Sequence, residues 1–238
     1  MGIETLLEAR HRLARLIFTC LLVLSPACYS LSLMQEPKPL RPGTVRVIAG
    51  NGFNTARGAP DLNLGLRVGL FPRTEARVKL TLFNESAAVQ SVQAGFNFEL
   101  YAGRYQSVVV MPYYRYDPAV WEDQDELFDE TAYPHHRVHA FAMPLLFVQH
   151  IGRSHLFIGP DLHVGARDGD SFVALGGHVG VSIAAGKYAH ITPEFSLLTV
   201  VSGVEPALNR AFDVRETALT LHDVIGEIGL SCTFGAEN

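Results

Sequence analysis

Apolar and polar residues alternate along most of this chain. In the segment 62–70, leucine or valine occupies every second position, and glycine, asparagine or arginine lies between. Because the side chains of a strand point alternately to its two faces, this pattern predicts strands with one apolar face and one small or polar face. Turn residues divide the chain into ten such segments. They are 44–53, 62–71, 75–83, 90–101, 105–116, 137–149, 155–167, 171–185, 190–202 and 218–234.

The connections between these segments alternate in length. Most odd-numbered connections are long, such as 117–136 and 203–217, whereas the even-numbered ones are tight turns, and 168–170 is a short exception. Barrels that cross a membrane have long loops at one end and short turns at the other, with an even number of strands in bacteria. The pattern therefore predicts an all-β, antiparallel up-and-down transmembrane β-barrel of about ten strands, with eight as the alternative.

The first 28 residues have the composition of a secretory signal. Three arginines precede the apolar run 16–24, which is well short of the roughly 20 residues that a spanning helix needs. Cys28 resembles a lipoprotein acceptor, although Ser25 stands where that pattern has leucine, so lipidation of Cys28 and ordinary cleavage before it both stay open. We predict a signal peptide at 1–28, a periplasmic Pro-rich linker at 29–42 and the barrel at 43–238.

The last predicted strand resembles the closing strand of bacterial outer-membrane β-barrels, which ends in an aromatic residue at or near the terminus. Its alternate apolar positions are Ile228, Leu230, Cys232 and Phe234. The resemblance implies the outer membrane of a Gram-negative bacterium, with both termini in the periplasm. It also implies contact with outer-membrane lipids and recognition of this strand by the barrel-assembly machinery. We expect Phe234 at the periplasmic aromatic girdle and Cys232 facing lipid.

Polar side chains on the opposite strand faces are expected to fill the lumen. A narrow barrel is usually filled by its own side chains, which pair their charges away from lipid. The predicted interior cluster consists of Arg67, Arg77, Lys79, Glu99, Asp161, His163, His178 and Glu194.

Three lumenal residues suggest an enzyme as an alternative. Asp161, His163 and Ser182 would supply an acid, an imidazole and a hydroxyl, as in hydrolytic sites. Some outer-membrane barrels are proteases or lipid A deacylases, but this chain has neither the paired-aspartate element nor the His-x-Ser element of those enzymes. We therefore favour a non-enzymatic barrel with a structural or surface-exposed role, plugged or with a narrow pore. The alternatives are a lipid or peptide hydrolase and a soluble, lipocalin-like periplasmic barrel.

The segment 117–130 is acidic and contains no Lys or Arg. Its carboxylates Asp123, Asp125 and Glu126 are candidate ligands for divalent cations, although their order differs from that of a calcium loop. A solvated loop is the alternative. No cofactor is expected, and the net charge of −5 argues against nucleic acid as a partner.

Overall fold

The computed structural model describes residues 33, 37–54, 59–82, 89–118, 137–186, 188–203 and 224–235. Regular structure within these ranges consists of β-strands, and none of the described residues forms a helix long and apolar enough to cross a membrane. The strands are β1 (Val45–Asn54), β2 (Ala59–Phe71), β3 (Thr74–Leu82), β4 (Val89–Ala102), β5 (Gln106–Val110), β6 (Tyr113–Asp117), β7 (Val138–Ala142), β8 (Leu145–Ile151), β9 (Ser154–Arg167), β10 (Asp170–Ala184), β11 (Ala189–Gly203) and β12 (Val224–Phe234).

The strands form one closed antiparallel barrel. The last strand closes the wall, because β12 pairs with β11 on one side and with β1 on the other. Strands β5 and β6 together occupy one position of the wall beside β4, and β7 and β8 together occupy the next position beside β9. The wall therefore has ten positions, which confirms the predicted all-β barrel and excludes the eight-stranded alternative.

Two of the ten predicted strands are broken at proline. The segments 105–116 and 137–149 were expected to be continuous, but the first is interrupted at Met111-Pro112 and the second at Met143-Pro144. Proline has no N–H to donate to a neighbouring strand. The wall stays joined because the N–H of Met111 donates to the carbonyl of Pro144 at 2.9 Å.

Two other prolines lie within strands without a bulge at their positions. Pro160 of β9 falls between the stretches that pair with β7 and with β8, and Pro193 of β11 falls in a gap of the β10–β11 pairing. In each case the missing N–H coincides with an interruption of the ladder on one side.

The two faces of the wall are the reverse of those in a water-soluble protein. Val47, Leu66 and Val78 lie side by side on β1, β2 and β3 with 51%, 44% and 44% of their surface exposed. Polar and charged side chains such as Arg67 and Glu75 are fully buried inside. Apolar residues outside and polar residues inside are the arrangement of a barrel whose wall lies in lipid.

The closing strand follows the same alternation. Ile228 and Phe234 are exposed on the outer face, and Leu230 is half-buried. Cys232 also belongs to this face by register, but it is only 7% exposed because Ala49 and Ile191 flank it on the neighbouring strands. The expected lipid contact of Cys232 is therefore small.

The ends of the barrel differ in their connections. The strand ends that flank residues 55–58, 83–88, 118–137, 168–169 and 204–223 meet at what we call the long-loop end. The strand ends that flank 72–73, 103–105, 152–153 and 185–188 meet at the short-turn end. The first residues of β1 and the last residues of β12 also lie at the short-turn end.

Candidate functional site in the barrel lumen

A buried ion pair lies in the lumen near the short-turn end. Arg67 of β2 donates from Nε to Oε1 of Glu75 at 2.8 Å and from Nη2 to Oε2 at 2.7 Å, and both side chains are fully buried. Asn97 of β4 donates to the same carboxylate. Two parallel bonds between guanidinium and carboxylate give a strong and directional contact.

The chain that precedes β1 is attached to this ion pair. The N–H of Leu40 donates to Oε2 of Glu75 at 2.9 Å, and Nη2 of Arg67 donates to the carbonyl of Lys38 at 2.7 Å. Leu40 is buried, as is Pro37. The described residues of the predicted Pro-rich linker at 29–42 are therefore not a free tether, because part of this segment is packed inside the barrel.

Gly69 of β2 allows the chain that precedes β1 to pack against the barrel wall. The N–H of Gly43 donates to the carbonyl of Gly69, and the N–H of Gly69 donates to the carbonyl of Thr44, each at 2.9 Å. A Cβ atom at position 69 would lie 2.0 Å from the carbonyl oxygen of Arg41, which is far inside van der Waals contact. Close approach of two backbones thus requires glycine here.

The segment reaches deeper into the lumen at Leu33. Its side chain is 3% exposed and packs in an apolar cluster with residues that include Met111, Tyr113 and Phe157. Its N–H donates to Oε1 of Glu194 at 2.8 Å. We refer to residues 33 and 37–44 as the N-terminal plug.

Glu194 belongs to a chain of charged side chains across β9, β10 and β11. Nε2 of His178 lies 2.9 Å from Oδ2 of Asp161, and its Nδ1 lies 3.0 Å from Oε1 of Glu194. His163 contacts the same oxygen of Asp161 at 2.6 Å, and Ser196 Oγ lies 2.8 Å from Nδ1 of His178. The arrangement suits an imidazolium at position 178, which donates from both ring nitrogens.

The residues of the hydrolase hypothesis do not form one site. Asp161 and His163 are in contact, but His163 pairs in register with Ala174 whereas Ser182 pairs with His155. Eight positions of β10 separate these levels, about 26 Å at 3.3 Å per residue. Ser182 Oγ instead lies 3.2 Å from Nδ1 of His190. The Asp161, His163 and Ser182 trio is therefore not assembled as a catalytic triad.

The remaining predicted interior residues lie at different depths. The guanidinium carbon of Arg77 lies 4.8 Å from the ring centroid of Tyr113, a cation–π contact, and Lys79 is also buried. Glu99 is only half-buried, near the turn 103–105. Arg67, Asp161, His163, His178 and Glu194 have the contacts described above.

Sequence reasoning missed two kinds of lumenal residue. Glu75 and Ser196 each lie two positions from a predicted interior residue on the same strand, so period-2 alternation was a sufficient signal for both. Leu33 had no such signal, because it lies outside any alternating segment.

A metal site finds no support in the described parts of the chain, where no group of three or more His, Cys, Asp or Glu side chains is placed to hold an ion. Asp123, Asp125 and Glu126 lie outside the described residues, as does Cys28. Cation binding by the acidic loop and lipidation of Cys28 therefore stay predictions.

Solved structures with a similar fold are transmembrane β-barrels. A de novo designed transmembrane β-barrel aligns over 83% of this chain and 99% of its own, at 8% identity and a TM-score of 0.35. The outer membrane protease OmpT from Escherichia coli aligns over 82% and 97%, at 7% identity and 0.34. Neisserial surface protein A aligns over 80% and 95%, at 10% identity and 0.22. No protein-family model and no curated protein matches the chain. At these identities and TM-scores, the likeness carries no information on activity.

Proposed function

We propose that this chain is an occluded outer-membrane β-barrel without enzymatic activity, which serves as a structural membrane protein. The observation that carries the proposal is the N-terminal plug inside the lumen, where Leu40 and Leu33 donate backbone hydrogen bonds to Glu75 and Glu194. A backbone segment bonded to buried carboxylates on opposite parts of the wall is a stable filling, because a buried charge that loses its partners is costly.

Fully buried side chains fill the lumen at several levels. Phe157 and Leu33 belong to the apolar cluster in the short-turn half, and Asp161 and His178 lie in the polar layer. A second apolar cluster lies toward the long-loop end, with Val138, Ala140, Phe172, Ala174, Leu198 and Ile225 as its buried members. Such an interior supports a plugged barrel over a water-filled pore.

The apolar residues on the outer face favour a membrane location for the barrel and argue against the soluble, lipocalin-like alternative. Exposed apolar side chains recur on successive strands, as at Val47, Leu66 and Val78. In membrane barrels the short turns face the periplasm, so both described chain ends would lie there and β12 would be available to the assembly machinery. Recovery of the protein in the soluble periplasm without detergent would contradict this membrane location.

Conductance in planar lipid bilayers tests the occlusion. The variant replaces residues 33–42 with a Gly/Ser segment of equal length, and the matched control replaces residues 120–129 of the long loop in the same way. We expect the native protein and the control to be silent, and the variant to show discrete conductance steps. Heat-modifiable migration on a gel verifies that all three are folded. Steady ohmic steps from the native protein would refute an occluded barrel.

A further inference from the structure

A row of buried polar side chains lines the lumenal face of β11 and β12 in the short-turn half of the barrel. His190 lies opposite Thr233 in the register of these strands, and two positions further into the barrel Thr192 lies opposite Ser231. The side chains of Thr192, Ser231 and Thr233 are at most 1% exposed, and none of their hydroxyl oxygens has a hydrogen-bond partner within the described part of the chain. Buried hydroxyl groups without a protein partner normally bond to ordered water.

This row joins the solvent to buried charges in the middle of the lumen. At the short-turn end, His190 lines a cleft of about 230 Å³ between the wall and the N-terminal plug. At the inner end, Glu194 follows Thr192 on the lumenal face of β11, and Glu227 of β12 lies opposite Ser196. All three of Glu194, Ser196 and Glu227 are buried.

Polar side chains of β2 and β3 continue from these carboxylates. Lys79 of β3 is buried and is attracted by the carboxylates of Glu227 and Glu194. Thr81 is the next lumenal residue of β3 toward the long-loop end, and its hydroxyl donates to Oδ1 of Asn63 on β2 at 2.7 Å. The polar groups therefore cross the lumen from β11 and β12 to β2 and β3.

A second set of buried polar groups leads from there to the long-loop end. Ser91 of β4 lies opposite Thr81, and Gln90 precedes it at a register shift of the β3–β4 pairing. The side chains of Asn63, Ser91 and Gln90 are at most 6% exposed. Nδ2 of Asn63, Oγ of Ser91 and both polar atoms of Gln90 have no hydrogen-bond partner among the described residues. Because β4 begins at Val89, this set reaches the end of its strand.

Glycine leaves room for water between the two sets. Gly50 of β1 lies opposite Ser231 on the lumenal face, and Gly52 lies opposite Gly229. No side chain projects into the lumen from these three positions. A buried water needs such space together with about two to four polar partners, and the neighbouring hydroxyl and carboxylate groups supply them.

We propose that the buried polar side chains from His190 on β11 to Gln90 on β4, which we call the polar seam, bind water and transfer protons across the barrel. A hydroxyl group donates and accepts hydrogen bonds at the same time, so a proton can pass along hydroxyls and waters by exchange of O–H bonds. One proton leaves at the far end for each that enters, and every group returns to its starting state. Ionisable groups inside a membrane protein are typical of such relays.

The polar seam adds an activity to the occluded membrane barrel proposed above and rests on that proposal. Larger ions cannot follow the protons, because the plug and the packed side chains leave no open pore. The barrel would therefore be permeable to protons and closed to K⁺.

Dissipation of a pH gradient in liposomes tests the proposal. The full-length, folded protein is reconstituted into phosphatidylcholine vesicles that contain K⁺ and the pH-sensitive dye pyranine, with valinomycin present to balance charge. After acid is added outside, we expect the internal pH to fall about tenfold faster or more than in vesicles without protein, because the hydrocarbon core holds no water of its own. Equal rates would overturn the proposal.

Two variants interrupt the polar seam at different depths. Thr192→Val/Ser231→Ala removes two hydroxyl groups from the short-turn half with little change in volume, and Ser91→Ala removes one from the long-loop half. Each should slow proton transfer about fivefold or more, which is the effect of one lost hydrogen bond. Heat-modifiable migration on a gel verifies that both variants are folded.

The matched control is Ser107→Ala. Ser107 also has a buried hydroxyl without a partner in the described part of the chain, but it lies on β5 between Ala102 and Val148, outside the polar seam. Its proton transfer should equal that of the native protein. An equal loss in Ser107→Ala, or native rates in both seam variants, would overturn the proposal.

Planar-bilayer recordings separate the polar seam from the occlusion. Proton transfer by a protein that shows no K⁺ conductance supports both proposals. A silent protein without proton transfer overturns the polar seam alone. Proton transfer accompanied by K⁺ conductance indicates an open pore and overturns both.

Discussion

The backbone N–H of Leu33 donates a 2.8 Å hydrogen bond to Oε1 of Glu194, a residue 161 positions later in the chain. The same oxygen lies 3.0 Å from Nδ1 of His178 and 2.9 Å from Oγ of Ser196. One buried carboxylate therefore joins the N-terminal plug to the polar layer of the wall. The plug and the wall stabilise each other through this contact.

Glu75→Gln should destabilise the barrel by about 3–5 kcal/mol, because it leaves the buried Arg67 guanidinium without its charged partner. Urea titration in detergent, followed by heat-modifiable gel mobility, measures the change. The matched control Glu99→Gln alters a half-buried carboxylate and should change stability by about 0.5 kcal/mol or less. Equal effects would contradict the role of Glu75 as the centre of the plug contact.

Asp161→Asn should cost about 3 kcal/mol of stability, because both His163 and His178 lose their contact with a carboxylate oxygen. Ser182→Ala removes a single contact with His190 and should cost about 1 kcal/mol. The same urea titration compares the two variants.

Assays of peptide and lipid A hydrolysis on Ser182→Ala address the enzyme alternative directly. We expect no hydrolysis by either the native protein or the variant, since Ser182 and His163 lie at different levels of the lumen. Hydrolysis by the native protein that disappears in Ser182→Ala would show that the barrel is an enzyme.

Gly69→Ala should displace the plug from the short-turn end, because the added Cβ meets the carbonyl of Arg41 at 2.0 Å. The expected result is faster chymotrypsin cleavage after Leu40, which is buried in the native plug, in the folded protein. Gly177→Ala is the control, since its Cβ would lie 3.1 Å from the nearest atom and requires only a small adjustment. An unchanged cleavage rate in Gly69→Ala would argue against the close backbone contact.

Leu66→Arg should destabilise the barrel in lipid by about 2–4 kcal/mol if this position lies near the bilayer centre. Its neighbours Val47 and Val78 are exposed and apolar, so the charge would face lipid. Urea titration in lipid vesicles measures the effect, with Leu66→Val as the conservative control. A stability loss in Leu66→Arg no larger than in Leu66→Val would place this face in water.

The strands could be predicted closely because alternation is a local property. Residues 62–71 were expected to form a strand, and β2 covers Ala59–Phe71. The breaks at Pro112 and Pro144 could not be placed in the same way. Whether a proline interrupts a strand depends on which neighbour needs its N–H, and that depends on the register of the adjacent strands.

Several of the side chains that lie in the lumen could also be predicted from the sequence. Arg67, Asp161 and His178 alternate with outward-facing residues, so their burial follows from period 2 once one face is assigned to lipid. Their partners are harder to predict from sequence. Glu75 lies 8 positions from Arg67 on the adjacent strand of the same hairpin, whereas Lys38 meets Arg67 only because the N-terminal plug lies in the lumen.

Local alternation in the sequence is enough to predict the strands of the wall, its two faces and its closing strand, because each depends on residues close together in the chain. The choice between eight and ten wall positions, and the filling of the lumen, follow from the closed barrel alone. The N-terminal plug and the contact between Leu33 and Glu194 join residues far apart in sequence, which meet when β12 pairs with β1 and the barrel closes around the plug.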